Sequence, residues 1–163
     1  MNIFAFDKCP EQSALWLDDI RKNKMILESA QMLSTAVRTL CPDTKLKVYK
    51  VAYLNHPCSI WARQSRGNFR WLVEHMTCLY IQKDGLHKSA NLLPQFNEYA
   101  EGGDFPAEDL TDFANCARNL ERGVDYSDVV DVHKAYRMYM NDRWKERNIT
   151  LTWKWGEEPE WRL

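Results

Sequence analysis

The sequence predicts a mainly α-helical fold: a compact, single-domain helical bundle over residues 1–163, with a short N-terminal extended segment and an aromatic C-terminal tail. Three observations predict it. Apolar residues recur at spacings of three and four in several segments, as on one face of an α-helix. A chain of 163 residues is long enough to bury a real core. Seven tryptophans, three of them in the tail, supply large apolar side chains to fill it.

The N-terminal half contains the strongest helical pattern. Residues 3–6 (IFAF) are apolar and predict a strand or a buried extended arm, and residues 11–20 predict a first helix. The main pattern covers residues 23–40, where Asn23 can cap the start of the helix. Pro42 disfavours helical geometry in the residue before it, so we expect the helix to end there.

The rest of the chain, from residue 45 onward, predicts one extended segment and several further helices. Residues 45–54 alternate in part and predict an extended segment. Ser59 is a suitable cap for a helix that runs to about Gln82, where Asp-Gly stops it. Further helices are expected over residues 87–100, over residues 112–121, and from a cap at Ser127 to about Arg147. We expect the tryptophans of the tail to pack back onto the bundle.

A narrow polar stripe marks helix 23–40. Lys24, Glu28, Gln31 and Thr35 fall on one line, and most other positions are apolar or small. Surface helices usually show a broad polar face to water. The helix is therefore expected to be mostly buried, with its stripe facing either solvent or a cleft. If it faces a cleft, Lys24, Glu28 and Gln31 should line a pocket.

Charge is unevenly distributed along the chain. Residues 1–97 carry a balance of +5, residues 98–131 carry −8, and residues 132–163 carry +2, which sum to the net charge of −1. A surface for a polyanion would use the first and last segments. The acidic block 98–131 would face away from it or mimic the anion, or it is simply solvated.

Three groups of residues suggest a binding or reaction site. Arg21, Lys22 and Lys24 lie near a helix start, where free N–H groups favour phosphate; alternatively, neighbouring acids neutralise them. The second group is the turn at residues 55–61, with Asn55, His56 and Ser59, in which His56 either transfers protons or caps the helix. The third contains His87, Lys88 and Arg137, which would contact phosphate or a base. Glu28 is the best candidate for a catalytic acid, so the predicted catalytic residues are His56, Glu28 and His87.

Several common site types are not indicated. The sequence has no GxxxxGK[ST] or GxGxxG motif and no apolar run long enough to span a membrane. Its five cysteines form no CxxC pair, which favours a reducing, cytoplasmic setting. We therefore predict no cofactor and no metal, although a set assembled in space from His56, Cys58 and His87 remains open.

The motifs resemble those of a little-characterised family of phage-encoded proteins. They are MNIF at the N-terminus, KMILESAQ at 24–31, NHPCSIW at 55–61, HKS at 87–89 and AYR at 135–137, with a closing PEW at 159–161. In that family a Cys-Asp-Lys-His run precedes the long helix. This chain has Asp-Asp-Ile-Arg at 18–21 instead, so Arg21 stands where the family has His.

A more distant resemblance is to the phage pyrimidine-dimer DNA glycosylase (endonuclease V) family. It consists of small helical proteins with basic early helices and an aromatic tail. The resemblance implies a reaction that uses the amine of a small residue 2 together with a helix Glu. Residue 2 is Asn here, and Arg21 and Lys22 lie near the position expected for that Glu.

Together these observations predict a protein that binds DNA phosphate and processes a base, in the cytoplasm of an infected host cell. Arg21, Lys22, Lys24, Gln31, Asn55, Ser59, Lys88 and Arg137 are the predicted contacts to nucleic acid. One alternative is a transferase that hypermodifies DNA bases. The other is a non-enzymatic phage protein that binds a host protein through its acidic block 98–131. No membrane partner is expected, and the oligomeric state is not indicated.

Overall fold

The computed structural model describes residues 1–145 and 150–163. The α-helices of this part are α1 (Pro10–Leu15), α2 (Asp19–Leu40), α3 (Pro57–Gln64), α4 (Arg66–Ile81), α5 (Leu93–Gly102) and α6 (Val132–Lys145). Two short 3-10 helices cover Lys88–Leu92 and Leu120–Arg122. Strands β1 (Arg118–Asn119) and β2 (Val124–Asp125) pair antiparallel, with Arg118 opposite Asp125. The structure is 53% helical, which confirms the predicted mainly α fold.

Helix α2 lies at the centre of the bundle and packs against α3, α4 and α5. Its apolar face is fully buried, as the periodicity predicts, through Ile26, Ala30, Leu33 and Val37. Helix α4 packs in turn against α1 and α5. Within the described residues, no helix is both long enough and apolar enough to cross a membrane.

Helix α2 begins four residues earlier than the sequence predicts. Its N-cap is Asp18, not Asn23, and the Asp18 carboxylate accepts a hydrogen bond from the Arg21 amide at 3.3 Å. The first helix ends at Leu15 and does not continue to residue 20. This shift places Arg21 inside the first turn of α2, where its side chain lies against the bundle.

The helix predicted from Ser59 to Gln82 is two helices. His56 caps α3 by accepting the Cys58 amide at 3.2 Å, and Ser65 caps α4 by accepting the Asn68 amide at 3.1 Å. Ser65 has extended backbone geometry, which breaks the helical path between α3 and α4.

The predicted helix at 112–121 is wrong. Residues 111–117 are irregular, and the Asn115 side chain holds them by donating to the Tyr126 carbonyl at 3.0 Å. Helix α6 starts at Val132 and not beside Ser127, because the Asp131 carboxylate caps it by accepting the His133 amide at 3.0 Å. The predicted end of this helix at Arg147 lies outside the described residues.

The two ends of the described chain pack together, as predicted for the tail. Residues 3–6 form an irregular, largely buried arm, in which Ile3, Ala5 and Phe6 are fully buried. The ring of Trp161 lies 5.3 Å from that of Phe6 and 5.3 Å from that of Trp144. This packing holds the first residues of the arm beside α2 and α6.

Candidate functional site

A cavity of about 460 Å³ opens between the N-terminal arm, the first half of α2, the start of α3, β1 and α6. Its lining combines charged and apolar side chains, and comprises Met1, Asn2, Phe4, Ile20, Arg21, Lys24, Met25, Glu28, His56, Pro57, Cys116, Arg118, Tyr139 and Arg143. Predicted site residues from α2 and from the His56 turn therefore meet in one place.

Glu28 is held at the wall of this cavity. Its side chain is only 11% exposed. One carboxylate oxygen accepts the Asn2 amide at 2.9 Å, and the terminal nitrogen of Met1 lies 3.9 Å from the same oxygen. The other oxygen lies 3.5 Å from the Lys24 ammonium. These donors fix the orientation of the carboxylate.

Arg21 is a largely buried cation, and one of its guanidinium nitrogens has no hydrogen-bond partner among the described residues. Its Nη1 lies 2.5 Å from the Asp18 carboxylate, which also accepts Nε1–H of Trp144 at 2.9 Å. Asp18 is fully buried, so the pair lies in a poorly solvated environment. Nη2 of Arg21 is buried without a hydrogen-bond partner in residues 1–145 and 150–163.

Positive charge dominates the cavity. Arg21, Lys24, Arg118 and Arg143 all line it, whereas Glu28 is the single carboxylate that the described part of the chain contributes to the lining. Arg118 and Arg143 form no ion pair with any residue that the structure describes. Arginine guanidinium groups bind phosphate through paired, charge-assisted hydrogen bonds, so the cavity is suited to an anionic ligand.

His56 reaches the cavity from the turn before α3. Its Nδ1 accepts the Cys58 amide, so the capping role that the sequence left open is observed. Burial, and then the nearby N-terminal ammonium, lower the pKa of His56. With Nδ1 as acceptor, the proton of the neutral ring is on Nε2.

Lys22 does not contribute to the cavity, contrary to the predicted phosphate contact. Its side chain is 0% exposed, and its ammonium lies 3.4 Å from the Asp19 carboxylate. Burial lowers the pKa of Lys22. Because α2 begins at Asp19, Lys22 turns inward, where a Cβ added at Gly156 of the tail would approach its ammonium to 2.6 Å.

His87, Lys88 and Gln31 also lie outside the cavity lining. The His87 ring caps the first 3-10 helix by accepting the Ser89 amide at 3.1 Å, and Lys88 is exposed beside it. Burial lowers the pKa of His87. Gln31 is half-buried one turn beyond Glu28, where the cavity has already closed. The predicted convergence of His56 with His87 is therefore wrong.

The remaining predicted contacts have local structural roles. Asn55 is exposed in the turn, outside the lining. Ser59 is buried and donates to the Met1 sulfur at 3.4 Å, so it supports the arm. Nε of Arg137 donates to the Phe6 carbonyl at 2.9 Å, and its guanidinium lies over the Trp16 ring at 5.1 Å. Arg137 thus ties α6 to the arm instead of completing an anion pocket.

Sequence reasoning missed Arg118, Arg143, Cys116 and the first two residues. Arg118 belongs to the acidic block 98–131, which was expected to face away from a polyanion site, yet it lines the cavity. It is one of only two basic residues in that block, and a basic residue isolated among acidic ones is the sequence feature that could have identified it. Arg143 lies on α6, six residues after the predicted Arg137, and no periodicity distinguished the two.

Comparison with known proteins identifies no relative: no family model, no curated protein and no solved structure matches the chain.

Proposed function

We propose that this protein binds nucleic acid at the cavity and acts on a base placed inside it. The observation that carries the proposal is the buried guanidinium of Arg21, whose Nη2 lacks a partner in the described structure, in a cavity with three further cations. An unsatisfied buried donor is costly. A phosphate or other anion in the cavity would supply the missing acceptor.

The distribution of the cations suits a polyanion that enters from the surface. Lys24 and Arg118 are exposed, Arg143 is half-buried and Arg21 is buried. Exposed cations would contact the phosphates of the strand, while Arg21 would bind the group that enters deepest. The volume of about 460 Å³ lies within the range of small-molecule pockets and suits a nucleotide turned out of its stack.

Glu28 is the acid–base group of the proposed reaction. Among the residues that the structure describes, it is the only carboxylate of the cavity lining, and it contacts the arm through the Asn2 amide. The chemistry implied by the resemblance to the pyrimidine-dimer DNA glycosylase family uses the amine of a small residue 2 together with a helix Glu, and this chain departs from it because residue 2 is Asn. We assign the role of the helix Glu to Glu28, which lines the cavity, and not to the positions of Arg21 or Lys22.

The proposal also includes the type of nucleic acid, the origin of the protein and its location in the cell. DNA as the nucleic acid, phage origin and the cytoplasm of an infected cell are supported by the resemblance of motifs such as KMILESAQ at 24–31. Binding of a host protein through the acidic block 98–131 has less support. Arg66 and Arg70 already pair with Glu108 and Glu101, and the tail tryptophans are half-buried.

The test combines binding with product analysis. Affinity for duplex DNA, damaged or base-modified, should be measurable at low salt and fall steeply as salt rises. Glu28→Gln should retain binding and lose processing, whereas Glu158→Gln, in an exposed pair on the tail, should retain both. Absence of binding at low salt would contradict the proposal.

Mass analysis of the products separates the two possible reactions. A glycosylase releases a free base, and a transferase leaves a nucleoside of altered mass. If DNA binds but neither product forms, the protein binds nucleic acid without processing it, and Glu28 is not an acid–base group.

A further inference from the structure

We propose that His56, Cys58 and Cys116 form a binding site for a divalent metal ion of the zinc type at the edge of the cavity. One ligand atom from each of these side chains lies within 4.8 Å of the other two. Two thiolates and an imidazole are donors that zinc prefers. The site does not depend on nucleic acid being the ligand of the cavity.

The separation of the donor atoms is close to what the metal needs. Zinc binds sulfur at about 2.3 Å and nitrogen at about 2.0 Å in tetrahedral geometry, so bound donors lie roughly 3.5 to 3.8 Å apart. Observed separations of at most 4.8 Å require a contraction of at most about 1.3 Å. Side-chain rotation supplies movement of that size without unfolding α3.

Two separate segments of the chain supply the three residues. His56 and Cys58 flank Pro57 at the start of α3, and Cys116 comes from the segment before β1. The Asn2 side chain donates to the Cys116 carbonyl at 3.1 Å, and the Cys116 amide donates to the Tyr136 hydroxyl at 3.1 Å. Contacts of this kind orient metal ligands in proteins.

The burial of the three side chains indicates which side of the metal site faces the cavity. Cys58 is fully buried, Cys116 is 9% exposed, and His56 is half-buried. His56 and Cys116 line the cavity, while Cys58 lies behind them. Because two of the three ligands line the cavity, a fourth ligand such as water or substrate would reach the ion from the cavity, as in zinc sites with three protein ligands.

Metal binding would change two local interactions. Coordination through Nδ1 of His56 would replace its 3.2 Å hydrogen bond from the Cys58 amide. Both thiols must lose their protons, so binding releases protons to solvent. The hydrogen bond between the two thiols lowers the pKa of Cys116, whereas that bond and then burial raise the pKa of Cys58, so the ion itself must displace the Cys58 proton.

Cobalt titration of the reduced, metal-free protein tests the site. We expect one Co²⁺ per chain, with thiolate-to-cobalt charge-transfer absorption and the visible bands of tetrahedral cobalt, all displaced by Zn²⁺. Cys58→Ser and Cys116→Ser should each lose about half of the charge-transfer absorption, because one of two thiolates is removed. His56→Asn should weaken binding at least tenfold.

Matched controls isolate the site. His87→Asn removes a histidine that caps its helix in the same way as His56, and Cys78→Ser removes a half-buried thiol elsewhere. Both should bind cobalt as the parent protein does. If a serine variant folds poorly, the unfolding midpoint of the parent protein gives a second readout, because zinc should raise it in a concentration-dependent way.

Three results would overturn the site: no tetrahedral cobalt spectrum, cobalt binding by the Cys58→Ser and Cys116→Ser variants that equals binding by the parent protein, or a Cys58–Cys116 disulfide in protein purified under reducing, zinc-replete conditions. None of them affects the proposed binding of nucleic acid, which rests on Arg21 and the other cations.

Discussion

The guanidinium of Arg21 is held 2.5 Å from the buried carboxylate of Asp18, the residue that also caps α2. A helix cap thus positions the innermost cation of the cavity. Trp144 of α6 donates to the same carboxylate, which couples this position to the packing of the C-terminal helix.

Asp18→Asn should destabilise the protein by about 3 to 5 kcal/mol, because it leaves the buried Arg21 charge without its partner. Asn is an equally good N-cap, so the change isolates the ion pair from the cap. Urea denaturation measures the free energy of unfolding. Glu158→Gln, in the exposed pair with Arg162, should change it by less than about 1 kcal/mol. Equal effects of the two substitutions would show that the buried ion pair contributes no more to the free energy of unfolding than the exposed pair does.

Arg118→Gln and Arg143→Gln should each weaken DNA binding with little dependence on sequence. Each removes one phosphate contact, so the slope of log affinity against log salt should become shallower by about 0.9 for duplex DNA. Fluorescence titration at several salt concentrations gives the slope. Lys88→Gln, an exposed cation outside the cavity, should leave the slope unchanged. A loss with Lys88→Gln but not with the arginine variants would place the DNA elsewhere.

His75 should make stability fall as the pH is lowered below neutrality. Burial lowers the pKa of His75 to about 3, and neither ring nitrogen has a hydrogen-bond partner among the described residues. The unfolded chain has the ordinary histidine pKa of about 6.5, so below that pH only the unfolded state takes up the proton. The contribution is therefore present above about pH 6.5 and is lost progressively as the pH falls towards 3.

The variant His75→Phe isolates this effect. His75 stacks on Trp71 at 5.1 Å, and Phe keeps an aromatic ring there without a titrating group. Between pH 7 and pH 5, the parent protein should lose about 2 kcal/mol more unfolding free energy than the variant. Parallel pH profiles of the two proteins, measured by urea denaturation, would contradict the assignment.

Gly67→Ala and Gly102→Ala should have opposite effects on stability. A Cβ at Gly67 would lie 2.3 Å from the backbone nitrogen of Leu110, so the loop packed on α4 must move. We expect a loss of about 1 to 3 kcal/mol, as for an overpacked site. Gly102 has open space around it at the end of α5, and alanine there should be neutral or stabilising by up to about 1 kcal/mol. Thermal unfolding of both variants checks the contrast, and a tolerated Gly67→Ala would show that the loop at Leu110 is not held against α4.

The sequence determined the helical class, the buried face of α2 and the packing of the tail, because periodicity and aromatic content report burial directly. It was less successful at helix ends. Asp18 and Ser65 cap helices inside segments that looked continuous, since a cap depends on backbone geometry that competes locally with helix.

For the site, the sequence identified Arg21, Lys24, Glu28 and His56 as functional candidates, and the structure brings these four to one cavity. It failed for His87 and Arg137, which share the same residue types but make local contacts. Chemistry suggests candidates, but residue type does not distinguish a cavity side chain from a structural one.

By itself, then, the sequence determined the helical class, the buried face of α2 and several side chains capable of binding an anion. Only the tertiary structure decided which of them meet. Arg118, Arg143 and Cys116 are at least 88 residues from Arg21 and Glu28 in the chain, and Cys116 is 58 residues from Cys58. They meet because the N-terminal arm contacts Cys116 and α6, and α6 contacts Asp18 at the start of α2, a consequence of long-range packing that local spacing does not encode.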